Sequence, residues 1–226
     1  MPFLIIVGVV ALIVVIVVIG ILAHISAKKR REAMAALAMR LGLRFDPDKN
    51  RELARRYQFL NKLRSGSNRY AYNILSGNNE GHEVTLFDYH YETHSTDSKG
   101  RRQTHHHYFS FFILSLPGAF PELTIGKEGF FSKIGQALGY DDIDFESHEF
   151  SRKFCVRSKD KKFAYDFCNG RMIEYLLSNT DLTIEIEGEA LAISFSGRLS
   201  PEKIEPNLKR LIRVRSLMPE YLFSRR

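Results

Sequence analysis

Residues 3–23 form an apolar run of 21 positions without a charged or hydrogen-bonding side chain and without any period. A segment apolar on every side suits lipid. At about 1.5 Å of rise per residue it reaches roughly 31 Å, matching a hydrocarbon core of about 30 Å. Only a helix satisfies its own backbone there, so even this Val- and Ile-rich stretch is expected to be helical. A period near 3.6 then sets in. Ala33, Met34, Leu37, Ala38 and Leu41 recur on one side, Lys, Arg and Glu stand opposite, and Gly42 follows as a natural stop. Asp46-Pro47 reads as an N-cap with proline in the first turn. It predicts a second helix over 46–60, with Leu53, Ala54, Tyr57 and Leu60 on one side, broken by the polar residues 64–68.

Past that break the period falls to two. Strands over 69–75, 82–93 and 105–116, joined by a turn at 77–81 and a polar loop at 94–104, predict an antiparallel meander. In its second strand Val84 and Leu86 share one face while Phe87, Tyr89 and Tyr91 share the other, so cover is expected on both sides. Pro117 and Pro121 are expected to end the third strand. A short helix follows at 130–138, then an acidic turn and a strand at 154–157. A helix opened by Asp160 carries Phe163, Ala164 and Phe167 and continues to Ile173, Leu176 and Leu177, with Asn169-Gly170 dividing it. Segments 182–187 and 190–196 alternate around Gly188-Glu189 and predict a hairpin. Ser200-Pro201 starts a last helix with Ile204, Leu208, Leu211, Ile212 and Leu217 toward the core. The predicted class is α+β: an N-terminal transmembrane helix followed by a cytoplasmic domain of antiparallel sheet, in two hairpin units, with packed helices. It divides into an anchor (1–27), a basic juxtamembrane helical region (28–66) and the α+β domain (67–226).

Charge sets the expected orientation. Residues 28–69 hold 13 Lys and Arg against four Asp and Glu, whereas the rest of the chain holds 20 against 22. Basic residues directly after a span mark the cytoplasmic side, so the N-terminus is expected outside and the domain inside. A cleaved signal peptide would carry its charges before a shorter apolar stretch. Lys28, Lys29, Arg30, Arg31, Arg55 and Arg56 are the candidates for contact with anionic lipid or a partner, each worth about 1 kcal/mol near such a surface. Equally, they fit a simple stop signal with a solvated helix face. Nucleic acid is not expected, because no aromatic platform interleaves these charges. Gly8 and Gly20 are too far apart for a helix-dimer motif. With 17 Phe and 10 Tyr, all but Phe3 beyond the apolar run, a packed core is expected. Cys155 and Cys168 fit two small core hydrophobes in a reducing compartment.

One cluster offers chemistry. Asp88, His90 and His94 lie on the second strand and its exit, facing His105, His106 and His107 at the start of the third. His90, His94, His105 and His107 are the candidate ligands for a transition metal, although adjacent strand residues cannot all face one site. A solvated hairpin end is the competing reading. Asp141, Asp142, Asp144 and Glu146 lack the spacing of a calcium loop, and Glu185, Glu187 and Glu189 are expected on a solvent face. No phosphate-cradling, nucleophile-elbow or zinc-protease motif is present, so no catalytic residue and no organic cofactor are assigned.

Leu86-Phe87-Asp88-Tyr89, the apolar strand ending in Leu116-Pro117 and the segment 150–156 resemble a group of single-pass bacterial membrane proteins of unknown function. The resemblance implies a bacterial plasma-membrane location and brings no catalytic residues. The expected function is a membrane-anchored cytoplasmic interaction module. It would be an accessory subunit meeting other membrane-protein subunits, or a binder of membrane lipid. The alternative is a metal-dependent enzyme, or a metal or pH sensor, built on the histidine-rich hairpin.

Overall fold

A computed structural model of the chain describes residues 2–127 and 142–224. Helix α1 (Pro2–Leu41) is unbroken over 40 residues. Its apolar half is a candidate membrane span with none of that window buried by protein. Its second half is part of the domain, where Met34, Leu37 and Ala38 are buried. The amphipathic period after the span is thus a core-facing stripe on the same helix.

Six strands form one antiparallel sheet in the order β1-β2-β3-β4-β5, with β6 also on β4. They are β1 (Arg44–Asp46), β2 (Ser67–Asn79), β3 (His82–Thr96), β4 (Arg102–Gly126), β5 (Cys155–Ser158) and β6 (Thr183–Ser194). The β2–β3 turn is a two-residue connection at Glu80 (φ 51) and Gly81 (φ 82), the left-handed pair that matches strand twist.

Two layers of helix cover the sheet. On one face lie the C-terminal half of α1 with α4 (His148–Lys153), α5 (Lys161–Phe167), α6 (Gly170–Leu177) and α7 (Ile204–Leu217), around Leu86, Phe112, Leu123, Ile184 and Ile193. On the other, the short helices α2 (Arg51–Arg56) and α3 (Asn61–Arg64) bring Ala54, Leu60 and Leu63 over Ala71, Phe87, Tyr89 and Phe111. The two-sided cover of β3 therefore matches its pattern. The α+β class and the antiparallel sheet with packed helices are as expected.

Several boundaries differ, each for a physical reason. Asp46 ends β1, which pairs with β2 through Phe45 opposite Leu75, so the helix start at Asp46-Pro47 is not realised. The working cap is Asn50, whose side chain accepts from the Leu53 amide. Segment 44–64 thus packs on the sheet through apolar side chains, Phe45 on one core and Ala54, Tyr57, Leu60 and Leu63 on the other, while Arg51, Arg55 and Arg56 stay exposed.

The third strand does not stop at the prolines. β4 runs 25 residues, and its register on β6 slips on either side of Phe120. Pro117 and Pro121 sit in that bulged stretch, where no ladder bond is needed from their nitrogens. The bulge changes which side chains face the core, from Phe112 and Leu114 to Leu123 and Ile125.

The expected hairpin around Gly188-Glu189 is instead one strand, β6, with Gly188 (φ 57) as its bulge residue. There is consequently one continuous sheet in place of two hairpin units. A left-handed glycine serves a turn and a bulge equally well. The length of β4 alongside decides for the bulge. The expected helix at 130–138 and Asp141 lie outside the described residues, while the α5–α6 division at Asn169 and the C-terminal helix α7 are found. Cys155 and Cys168 are buried and unbridged.

Candidate functional site

Asp88 is wholly buried at the middle of β3, and the group that neutralises it comes from α1. Arg30 Nε and Nη2 donate to its two oxygens at 2.8 and 2.7 Å, the planar fork that only arginine presents. Arg30 Nη1 donates to the Leu199 carbonyl at 2.7 Å, so the same side chain also ties down the segment after β6. Asn73 Nδ2 and Ser110 Oγ donate to Asp88 at 2.9 and 3.2 Å. Asn73 reaches it from a bulge in β2 with φ 49. Burial, and then the Asp88 charge, push the neighbouring Tyr72 hydroxyl up to about 12. The Asp of the Phe-Asp-Tyr segment is thereby a lock between α1 and the sheet.

Arg30 accordingly does not stand with the exposed basic candidates. Lys28, Lys29 and Arg31 are exposed on α1, and Arg55 and Arg56 are exposed on α2. Arg55 lines a shallow groove of about 510 Å³ together with Arg51 and Arg69. Arg51 donates to Asn68 Oδ1 at 2.9 Å and Arg69 to the Arg64 carbonyl at 2.8 Å.

Register divides the histidines. His90 stands opposite Tyr108, Glu92 opposite His106, and His94 opposite Thr104, all on one face; Tyr91 opposite His107 and Thr93 opposite His105 lie on the other. His90 and His94 are therefore separated from His105 and His107 by the sheet itself, and the four do not meet. His107 Nε2 lies 2.8 Å from Thr93 Oγ1 and His105 Nε2 lies 2.9 Å from Ser95 Oγ. His94 lies between Ser67 Oγ and Thr104 Oγ1, each at 3.1 Å.

The group that does converge is His90, Glu92 and His106, each offering a donor atom to one point. Glu92 and His106 were not among the expected ligands, because a one-residue change of register exchanges His106 for its neighbours. Burial pushes His90 down toward its neutral form. The Asn68 amide holds the Glu92 carboxyl below its ordinary range. Behind this group Gly66 (φ 69) presses on the Glu92 carbonyl and the Tyr91 ring, where a Cβ would clash. Gly66→Ala is expected to cost about 1–3 kcal/mol in thermal unfolding. Gly118→Ala, with open space around it, is expected to stay within about 0.5 kcal/mol.

A second buried acid lies on the α3 side of the sheet. Glu185, 3% exposed, accepts from the Lys62 backbone amide at 3.2 Å and so caps the start of α3. Burial raises its pKa to about 7, against the opposing pull of the Lys62 and Asn61 amides. The expected solvent face for this residue is not found, because α3 covers it.

A single long helix clamped by a buried ion pair to a two-sided α+β sheet defines the class: a domain built onto a candidate membrane span. Neither a protein-family model nor a curated relative matches the chain. Among solved structures it is similar to the mycobacterial trehalose monomycolate transport factor A, TtfA. The two share 11% identity over 85% of this chain and 96% of that one, with a TM-score of 0.57. At that identity the likeness is one of fold.

Proposed function

We propose that this chain is a membrane-anchored accessory subunit whose domain is held at a fixed attitude to the bilayer, where it meets other membrane components. The observation that carries this reading is the Arg30–Asp88 lock. Here the span and the core share one helix, and its direction is pinned by a buried fork within about two turns of the lipid. Such a joint presents a constant surface to lateral partners.

The fold likeness to a protein named as a transport factor supports a role in a membrane assembly. The exposed Lys28, Lys29 and Arg31 after the span support an inward-facing domain in a bacterial plasma membrane, with anionic lipid near this basic collar. The outward Arg55 and Arg56 on α2 supply a second basic surface for an acidic partner.

Recovery of the intact chain from membranes in mild detergent is expected to bring a membrane-protein partner in fixed ratio. A short Gly-Ser insertion between Ala27 and Lys28 is expected to leave the domain folded and abolish that recovery. A chain that elutes alone without lipid preference, or a partner retained after the insertion, would contradict the rigid-joint reading.

A further inference from the structure

The row of side chains on β3 that begins at Asp88 continues through His90 and Glu92, and β4 sets His106 directly opposite Glu92. His90 Nε2, His106 Nδ1 and Glu92 Oε1 form a triangle with edges of 3.1, 3.5 and 4.0 Å. Around a tetrahedral zinc ion, with Zn–N and Zn–O bonds of about 2.0–2.2 Å, neighbouring donors stand about 3.3 Å apart. Two edges already lie within a few tenths of that value, and a small rotation of the Glu92 carboxylate closes the third. We propose that these three atoms bind one divalent transition-metal ion of the zinc type, with a fourth position left for solvent or a partner's ligand. The inference stands apart from the membrane-assembly reading and does not depend on it.

The surroundings are arranged as an outer shell would be. His90 Nδ1 lies 3.1 Å from the Asn68 carbonyl, which places its proton there and turns the Nε2 lone pair toward His106 and Glu92. Asn68 also donates from Nδ2 to Glu92 Oε1 at 2.6 Å, so one residue orients two of the three donors. Its left-handed backbone, φ 46, lets it address both. Tyr70 stacks on the His90 ring with centroids 4.5 Å apart, and Tyr108 flanks it at 4.9 Å. His90 is buried, so its ring is held in one orientation by these neighbours. The His106 side chain is 52% exposed, giving the ion a path in. Without metal, one proton between His90 Nε2 and His106 Nδ1 holds the two nitrogens together. A metal ion takes that place, and His106 then carries its proton on Nε2. Two imidazoles and a carboxylate match the ligand preferences of zinc better than those of calcium or magnesium.

The test uses the full chain in detergent without a histidine tag. Elemental analysis after dialysis against Zn2+ is expected to give one zinc per chain, and Co2+ is expected to give the strong visible band of a four-coordinate ion. His106→Ala and Glu92→Gln are each expected to weaken Zn2+ binding by at least about 100-fold, and Asn68→Ala by about 10- to 100-fold. His105→Ala and His107→Ala, on the opposite face, are expected to bind as the wild type does. Thermal unfolding in chelator checks that every variant is as well folded as the metal-free wild type. The assignment is overturned by a wild type without stoichiometric zinc, by affinity unchanged in His106→Ala and Glu92→Gln, or by loss of binding in the opposite-face variants.

Discussion

Arg30→Ala is expected to destabilise the chain by about 3–5 kcal/mol, because it leaves Asp88 charged at the centre of the sheet with only Asn73 and Ser110 to solvate it. For a protein of this size that corresponds to a fall of about 10 °C in Tm, measured on detergent-solubilised protein. Lys29→Ala, one residue away but exposed, is expected to stay within about 0.5 kcal/mol. Arg30→Lys cannot reproduce two bonds to the carboxylate and a third to Leu199, so it is expected to fall between the two. Pairing Arg30→Met with Asp88→Leu should recover much of the loss, since apolar packing often replaces a buried ion pair without penalty. Equal stability of Arg30→Ala and Lys29→Ala would remove the lock, and with it the main support for a rigid joint between span and domain.

Glu185→Gln is expected to stabilise the chain at pH 8 by about 3 kcal/mol relative to pH 4. The sign follows from the direction of the shift. In the folded chain the carboxyl is raised from 4.5 to about 7, so between those values the folded state holds a proton that the unfolded state has released. The stabilising contribution of the protonated acid is complete below about 4.5 and is lost as pH rises through about 7. Glutamine keeps a carbonyl oxygen for the Lys62 amide while carrying no charge to bury. The difference between wild type and Glu185→Gln, followed by urea unfolding across this range, isolates the residue from every group the two chains share. A difference that does not change with pH would mean that the carboxylate is solvated when charged.

The long apolar run, the stripe Met34-Leu37-Ala38 and the alternation on both faces of β3 were legible because each is a local pattern: an unbroken run suits lipid, and a period shows which face is covered. The α+β class, the β2–β3–β4 meander and α7 come from such patterns alone. The β6 hairpin and the proline stop in β4 were not legible. Gly188 and Pro117 report only which backbone angles are allowed, and the neighbouring strand chooses between turn and bulge. At the sites the division is sharper still. The sequence marked a cluster of histidines around one hairpin and a basic collar after the span. It could not say that Glu92 and His106 join His90 while His105 and His107 turn away, because facing is a matter of cross-strand register.

The lipid-length helix, the two-sided sheet and the uneven distribution of charge are properties of residues near one another along the chain, and so could be read without the fold. That Arg30 leaves the basic collar to neutralise Asp88, and that Glu185 is sealed beneath α3, followed from how the chain packs in three dimensions. Those outcomes join residues 58 and 123 positions apart, and a polar side chain is held in the interior where a distant group bonds to it.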